Sequence, residues 1–181
     1  MLNIIGVGVA AIVVAVLALL GFASRKPDTF NVERVALIKA PPEKIFSLLN
    51  DYRNWLVWSP YETKDPAMKR TFSGAVAGKG AVYDFEGNSQ VGSGRLEITD
   101  TAPPAQLQIT LDMIRPMAGH NIINFTLVSE GEATRVTWAM HGATPLAAKV
   151  VGVIFDMDKM IGGDFDTGLA KLTAWAEKPD P

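Results

Sequence analysis

Two histidines and one acidic cluster are the side chains of this sequence whose types and spacing could do chemistry. If Gly131-Glu132 is a two-residue hairpin loop with glycine first, as a type II′ turn prefers, Glu130 pairs with Ala133. That register sets Leu127 opposite Val136, Phe125 opposite Trp138 and Ile123 opposite Met140, all on one face. His120 and His141 become diagonal neighbours on the other face, with Asn124, Thr126, Arg135 and Thr137. A histidine pair is the start of a metal set or an acid–base site, but no carboxylate or cysteine in reach completes it, so no metal is expected. Asp84, Glu86, Arg95 and Glu97 lie on two neighbouring strands, with parities opposite to Tyr83, Phe85, Leu96 and Ile98. They read as a charged solvent face; the alternative is a salt-bridged group inside a cavity, doing acid or base work on a ligand. Nucleophilic chemistry has no support. There is no cysteine and no Gly-x-Ser-x-Gly turn, and Gly92-Ser93-Gly94 is a glycine cluster within a strand. Residues 78–80 do not open a helix, so no nucleotide, and no other cofactor, is expected.

Strands must hold these side chains. Between residues 30 and 141 the chain alternates in short segments broken by Gly, Pro, Asn and Asp. This predicts strands at 30–39, 68–73, 81–86, 94–99, 106–114, 122–129 and 134–141. Breaks at Gly78-Lys79-Gly80, Gly87-Asn88, Pro103-Pro104 and Arg115-Pro116 join them into an antiparallel meander, with a candidate bulge at Gly92 and Gly94. After Ala40-Pro41-Pro42 a short helix is predicted over 43–50. Proline at a helix start lacks only a donor that would be unpaired anyway, and Ile45, Phe46, Leu48 and Leu49 form its apolar face. Tyr52, Trp55, Trp58 and Tyr61 follow in an irregular stretch; they plug one end of the core or close a cavity mouth.

In the last third, Met157, Met160, Ile161, Phe165, Leu169, Leu172, Trp175 and Ala176 recur at steps of three and four, one stripe of a helix. The apolar face of the sheet is its cover. The predicted fold is therefore α+β, a curved seven-stranded antiparallel sheet around a long C-terminal helix. Residues 146–156 are apolar on most sides, with Lys149 nearly alone, and Gly162-Gly163 is a point where the helix can break into a short gate and a long core helix. Such a gate would face a bilayer through Ile154 and Phe155; the plain reading is core packing.

At 181 residues and 48% hydrophobic, the chain has room for one domain and one extra element. Residues 1–24 carry no charge, and 4–22 are apolar apart from glycine, about the length a bilayer core requires. Arg25 and Lys26 end the run. This predicts a transmembrane anchor over 1–26, a link at 27–29 and a single domain at 30–178. A cleaved signal peptide competes, since Gly21 and Ala23 suit a cleavage site, but the run is long for one and has no basic residue before it. Basic residues on the C-terminal side place the domain in the cytoplasm. Of 17 basic and 19 acidic side chains, setting Arg25 and Lys26 aside leaves a net charge of −4 with no basic run. Nucleic acid is disfavoured.

Three stretches carry a family likeness. Ala40-Pro41-Pro42-Glu43-Lys44-Ile45-Phe46, then Asn50-Asp51-Tyr52-Arg53-Asn54-Trp55 and Trp58-Ser59-Pro60, resemble the opening of the START-like superfamily that includes polyketide cyclase and dehydratase-like proteins. Residues 131–138, with Gly168-Leu169-Ala170-Lys171-Leu172, resemble its final hairpin and C-terminal helix, so the likeness covers about 30–177. It implies a helix-grip fold with a cavity between helix and sheet, and transfers no catalytic set. On that basis the chain is expected to be a membrane-anchored domain that binds a hydrophobic small molecule or lipid unchanged. The expected lining is Trp58, Tyr61, Tyr83, Phe85, Phe125, Trp138, Met140, Met157, Met160 and Phe165. The alternatives are a cyclase- or dehydratase-like enzyme, with Asp84, Glu86, Arg95 or His120 acting on a carbonyl compound, and a protein-interaction module with a collapsed cavity.

Overall fold

The computed structural model describes residues 2–154 and 156–179, with side chains described for 12–153, 156 and 158–179. Seven strands form one antiparallel sheet: β1 (Thr29–Ile38), β2 (Lys69–Gly74), β3 (Ala81–Glu86), β4 (Ser93–Ala102), β5 (Gln106–Arg115), β6 (Gly119–Glu130) and β7 (Ala133–Ala143). Their order is β1-β7-β6-β5-β4-β3-β2. Strands β2 to β7 are a meander, and β1 pairs with β7 at the far edge. The chain between β1 and β2 must therefore cross the width of the sheet. It does so through α2 (Pro42–Asn50), a 3-10 turn at Tyr52–Asn54, α3 (Trp55–Trp58) and α4 (Pro60–Lys64).

The β6–β7 register matches the expected pairing: Glu130 faces Ala133, Phe125 faces Trp138 and Ile123 faces Met140. Gly131 turns the hairpin at φ +64°, a conformation side chains resist. The six apolar residues of that face are all buried. On β4 the register shifts between Ser93 and Gly94 and again between Ile98 and Asp100, two irregularities that help curve the sheet.

Two helices fill the hollow side, α5 (Leu146–Ile154) and α6 (Met157–Ala176). The break falls ahead of α6 and not at Gly162-Gly163. Asp156 caps α6 by accepting from the Lys159 backbone N–H at 3.2 Å, and Gly162 lies inside the helix, where the Arg34 guanidinium packs against it. Ile161, Phe165, Leu169, Leu172 and Ala176 face the sheet, whereas Met160 and Trp175 are exposed. At 100° per residue, Met160 sits roughly 140° from the centre of that stripe, and Trp175 roughly 80°. The expectation that both belong to it is corrected; the Met157 side chain and Phe155 lie outside the described residues.

Arg34 of β1 clamps α6 through Asp158 at 3.0 Å and Asp166 at 3.3 Å. The hydrogen bond from Arg34 holds the Asp158 carboxyl below the usual aspartate range. A carboxyl depressed in this way stabilises the fold above its unfolded pKa and loses the contribution as pH falls through the folded one. The stability gap between wild type and Arg34→Gln should be full at neutral pH and close below about pH 4. A pH series of thermal melts reads it.

Gly168 of α6 lies against Trp138. An added Cβ would stand 2.7 Å from the indole and 3.0 Å from Pro60 Cδ. Alanine gains about 0.5–1 kcal/mol in helix formation and loses about 1–3 kcal/mol to overpacking. The Trp138 indole is buried and cannot swing aside, so the loss wins. Gly168→Ala should lower the melting temperature, where an exposed helical glycine would raise it.

The first helix, α1 (Leu2–Ala23), leans its C-terminal end on α5: Ala23 is buried and the Lys26 ammonium donates to the Gly152 carbonyl. Among the described residues no helix is long and apolar enough to cross a membrane. The expected transmembrane anchor is therefore corrected, together with the single-pass placement and the cytoplasmic side derived from it. The linking segment does more than tether: the buried Lys149 of α5 pairs with Asp28.

Candidate functional site

The concave face of a bent sheet and a helix that touches it only along one stripe cannot close completely. Between them lies a cavity of about 320 Å³. Leu96, Leu111, Ile123 and Met140 supply its sheet wall, and Ile161, Phe165 and Ala148 its helical wall. The exposed lining residues Pro116, Met117, Ala118 and Gly119, with Ala143 and Pro145, lie in or next to the β5–β6 and β7–α5 connections, and mark where it opens.

The opposite end is sealed by aromatic rings. Tyr52, Trp55 and Trp58 are all buried. Trp55 and Trp58 donate their indole N–H groups to the Leu49 and Leu48 carbonyls at 2.9 and 3.0 Å. Those are last-turn carbonyls of α2, which have no helical partner of their own. The indoles thus end one helix and fix the plug in a single step. Trp58 meets Trp138 and Phe125 edge-on, and Trp138 stacks on Phe165 with centroids 4.0 Å apart.

Of the residues expected to line the site, Tyr61, Tyr83, Phe85, Trp138, Met140 and Phe165 stand on the cavity wall. Trp58 and Phe125 do not; both are fully buried one layer behind it. Met160 points to solvent, and the Met157 side chain lies outside the described residues.

The acid–base candidates are elsewhere. Asp84 pairs with Arg95 at 3.6 Å, and Glu86 with Arg115 at 3.2 Å, on the face turned away from α6. His120 on the same face bonds Asp112 at 2.6 Å. None of these four lines the cavity. Among the described residues no group of three or more His, Cys, Asp or Glu is arranged to hold a metal ion.

Among the described residues one charged side chain does line it, and it was not anticipated. Glu62 of α4 is buried at 7% exposure. Its Oε1 accepts from the Tyr83 hydroxyl at 2.7 Å, and its Oε2 takes Arg70 Nε at 2.7 Å and Nη2 at 2.6 Å. Burial pushes the Tyr83 phenol well above its usual pKa, and the bond to Glu62 adds to this. That phenol stays protonated. Burial, helped by Asp164, does the same to Tyr61. Two wall residues each carry a buried polar atom with no hydrogen-bond partner among the described residues, Trp138 Nε1 and Thr144 Oγ1. Glu62 had no periodic signal in the sequence, because the extended backbone of Ser59 separates α3 from α4 and the spacing from Trp55 and Trp58 does not carry across.

A family model described as polyketide cyclase / dehydrase and lipid transport matches residues 29–177. Nothing matches among curated protein sequences. Among solved structures, protein CV1439 from Chromobacterium violaceum superposes with a TM-score of 0.59 at 17% identity, covering 86% of this chain and 100% of its own. The major latex-like protein 151 of Panax ginseng gives 0.61 at 10% identity over 84% and 100%. The di-domain ARO/CYC BexL from the BE-7585A biosynthetic pathway gives 0.62 at 10% identity over 87% of this chain and 53% of its own. At these identities the likeness is one of fold.

Proposed function

The chain belongs to the polyketide cyclase / dehydrase and lipid transport family, and from that premise we propose that it binds a hydrophobic small molecule or lipid in the cavity between sheet and α6, and releases it unchanged. The observation that carries this reading is the wall itself: about 320 Å³ of space, overwhelmingly apolar, with a few buried polar atoms to orient a guest. Those are the features of a pre-formed ligand site. A cavity of this size also argues against the interaction module with a collapsed interior.

A cyclase- or dehydratase-like enzyme is the second reading, and the Glu62–Tyr83 pair is the observation that favours it. Acid–base work needs a group that exchanges its proton near the working pH. Tyr83 is moved away from that range by burial, so the pair suits binding better than proton transfer.

The test is a titration of the full chain with the apolar fluorophore N-phenyl-1-naphthylamine. Wild type should bind it, and Leu111→Trp, which projects a larger ring into the cavity, should not. Equal binding by a folded Leu111→Trp protein would place the dye elsewhere and remove the support for this reading.

A further inference from the structure

Resting on the binding reading above, we propose that the cavity selects a ligand whose buried polar end donates a hydrogen bond, an alcohol or an amine, and rejects one that ends in a carboxylate. The inference comes from where the donors beside Glu62 are already spent.

Arg70 has five N–H donors. Its Nε and Nη2 hold Glu62 Oε2. Nη1 bonds the Met68 carbonyl at 2.6 Å and the Pro66 carbonyl at 3.4 Å, and Nη2 also reaches the Asp65 carbonyl at 3.4 Å. The guanidinium is therefore consumed by the protein and does not line the cavity. The Tyr83 proton is committed as well, to Glu62 Oε1. What this end of the wall still offers is lone pairs on Glu62 Oε1, since the Tyr83 oxygen is also within hydrogen-bonding influence of Arg70.

The cation of the ion pair thus faces away and the anion faces in. Among the described lining residues, Glu62 is the one charged side chain, and no Lys, Arg or His lines the cavity with it. A carboxylate entering here would bury a second negative charge with no counter-ion, which is strongly unfavourable. The neutral indole N–H of Trp138 cannot balance it, although it can serve an oxygen further along the ligand. Ser59 is buried at the wall, but its hydroxyl rotates to donate or accept and so does not tip the choice.

The experiment displaces N-phenyl-1-naphthylamine from the full chain at neutral pH with 1-decanol, decylamine and decanoate. The alcohol and the amine should compete at concentrations at least about tenfold below decanoate. Greater partitioning of decanol from water would favour it at any apolar site, so the deciding arm is Glu62→Gln. That change removes the charge and supplies an amide N–H, and should shrink the decanol-to-decanoate ratio to within about threefold. Tyr83→Phe frees a lone pair on Glu62 and should widen the ratio; it carries the test if Glu62→Gln does not fold. Decanoate competing as well as decanol in wild type, or an unchanged ratio in folded Glu62→Gln, overturns the proposal while leaving the cavity a binding site. A dye that fails to bind wild type at all removes the binding reading, and this inference with it.

Discussion

Arg70→Met should lower the free energy of unfolding by about 3–5 kcal/mol, read as a shift of the urea midpoint at neutral pH. Methionine keeps the apolar stem but removes both hydrogen bonds to Glu62 Oε2. The carboxylate, 7% exposed, is left with the Tyr83 hydroxyl alone. A buried ion pair adds little over a well-packed apolar pair, yet breaking it from one side strands a charge. Removing the second charge, in Arg70→Met with Glu62→Leu, should therefore recover most of the loss. A single variant that loses under about 1 kcal/mol, the value of a solvated ion pair, would mean that Glu62 is effectively wet and not a wall group.

Trp138→Ala should cost a similar amount, about 3–5 kcal/mol, as large-to-small changes of buried aromatics do. The ring is 2% exposed. It stacks on Phe165, tilts against Phe125 at 5.0 Å and meets Trp58 at 5.6 Å. Trp138→Phe separates the two roles of the residue. Phenylalanine preserves the stack on Phe165, so the stability cost should fall to about 1–2 kcal/mol. The indole N–H has no partner among the described residues, so its loss should appear in ligand affinity, not in the fold. Chemical denaturation and dye binding on the same two variants measure both.

The sheet was legible because strand alternation and a two-residue turn together leave one register. Gly131 pins the hairpin, and a slip by one residue would expose Phe125, Trp138 and Met140 at once. The helix stripe was legible only in part, since steps of three and four also admit Met160 and Trp175 at its margins. Where a helix breaks depends on local capping: Asp156 was available as a cap, and Gly162 was kept small by Arg34, a residue 128 positions away that sequence reading does not place. The run before Arg25 is apolar enough to suggest an anchor by composition, yet its end docks on α5 and no described helix meets the length and apolarity of a span.

The site divides in the same way. Tyr61, Tyr83, Phe85, Trp138, Met140 and Phe165 reach the wall because they follow the inward parity of a strand or the apolar side of a helix. Trp58 and Phe125 follow the same rules but lie one layer deeper, which periodicity cannot tell apart. Glu62 depends on Tyr83 from β3 and Arg70 from β2 arriving beside α4, a tertiary meeting that no local pattern encodes. The polar candidates visible from spacing alone, Asp84, Glu86, Arg95 and His120, are those that strand parity sends to the other face.

Native mass spectrometry of the full chain, purified from its own host, tests the central claim most directly. Wild type should carry a small hydrophobic molecule as a discrete added mass, released on unfolding, and Leu111→Trp should carry none. Wild-type protein that flies bare and also fails to take up N-phenyl-1-naphthylamine would contradict a cavity built to hold a ligand.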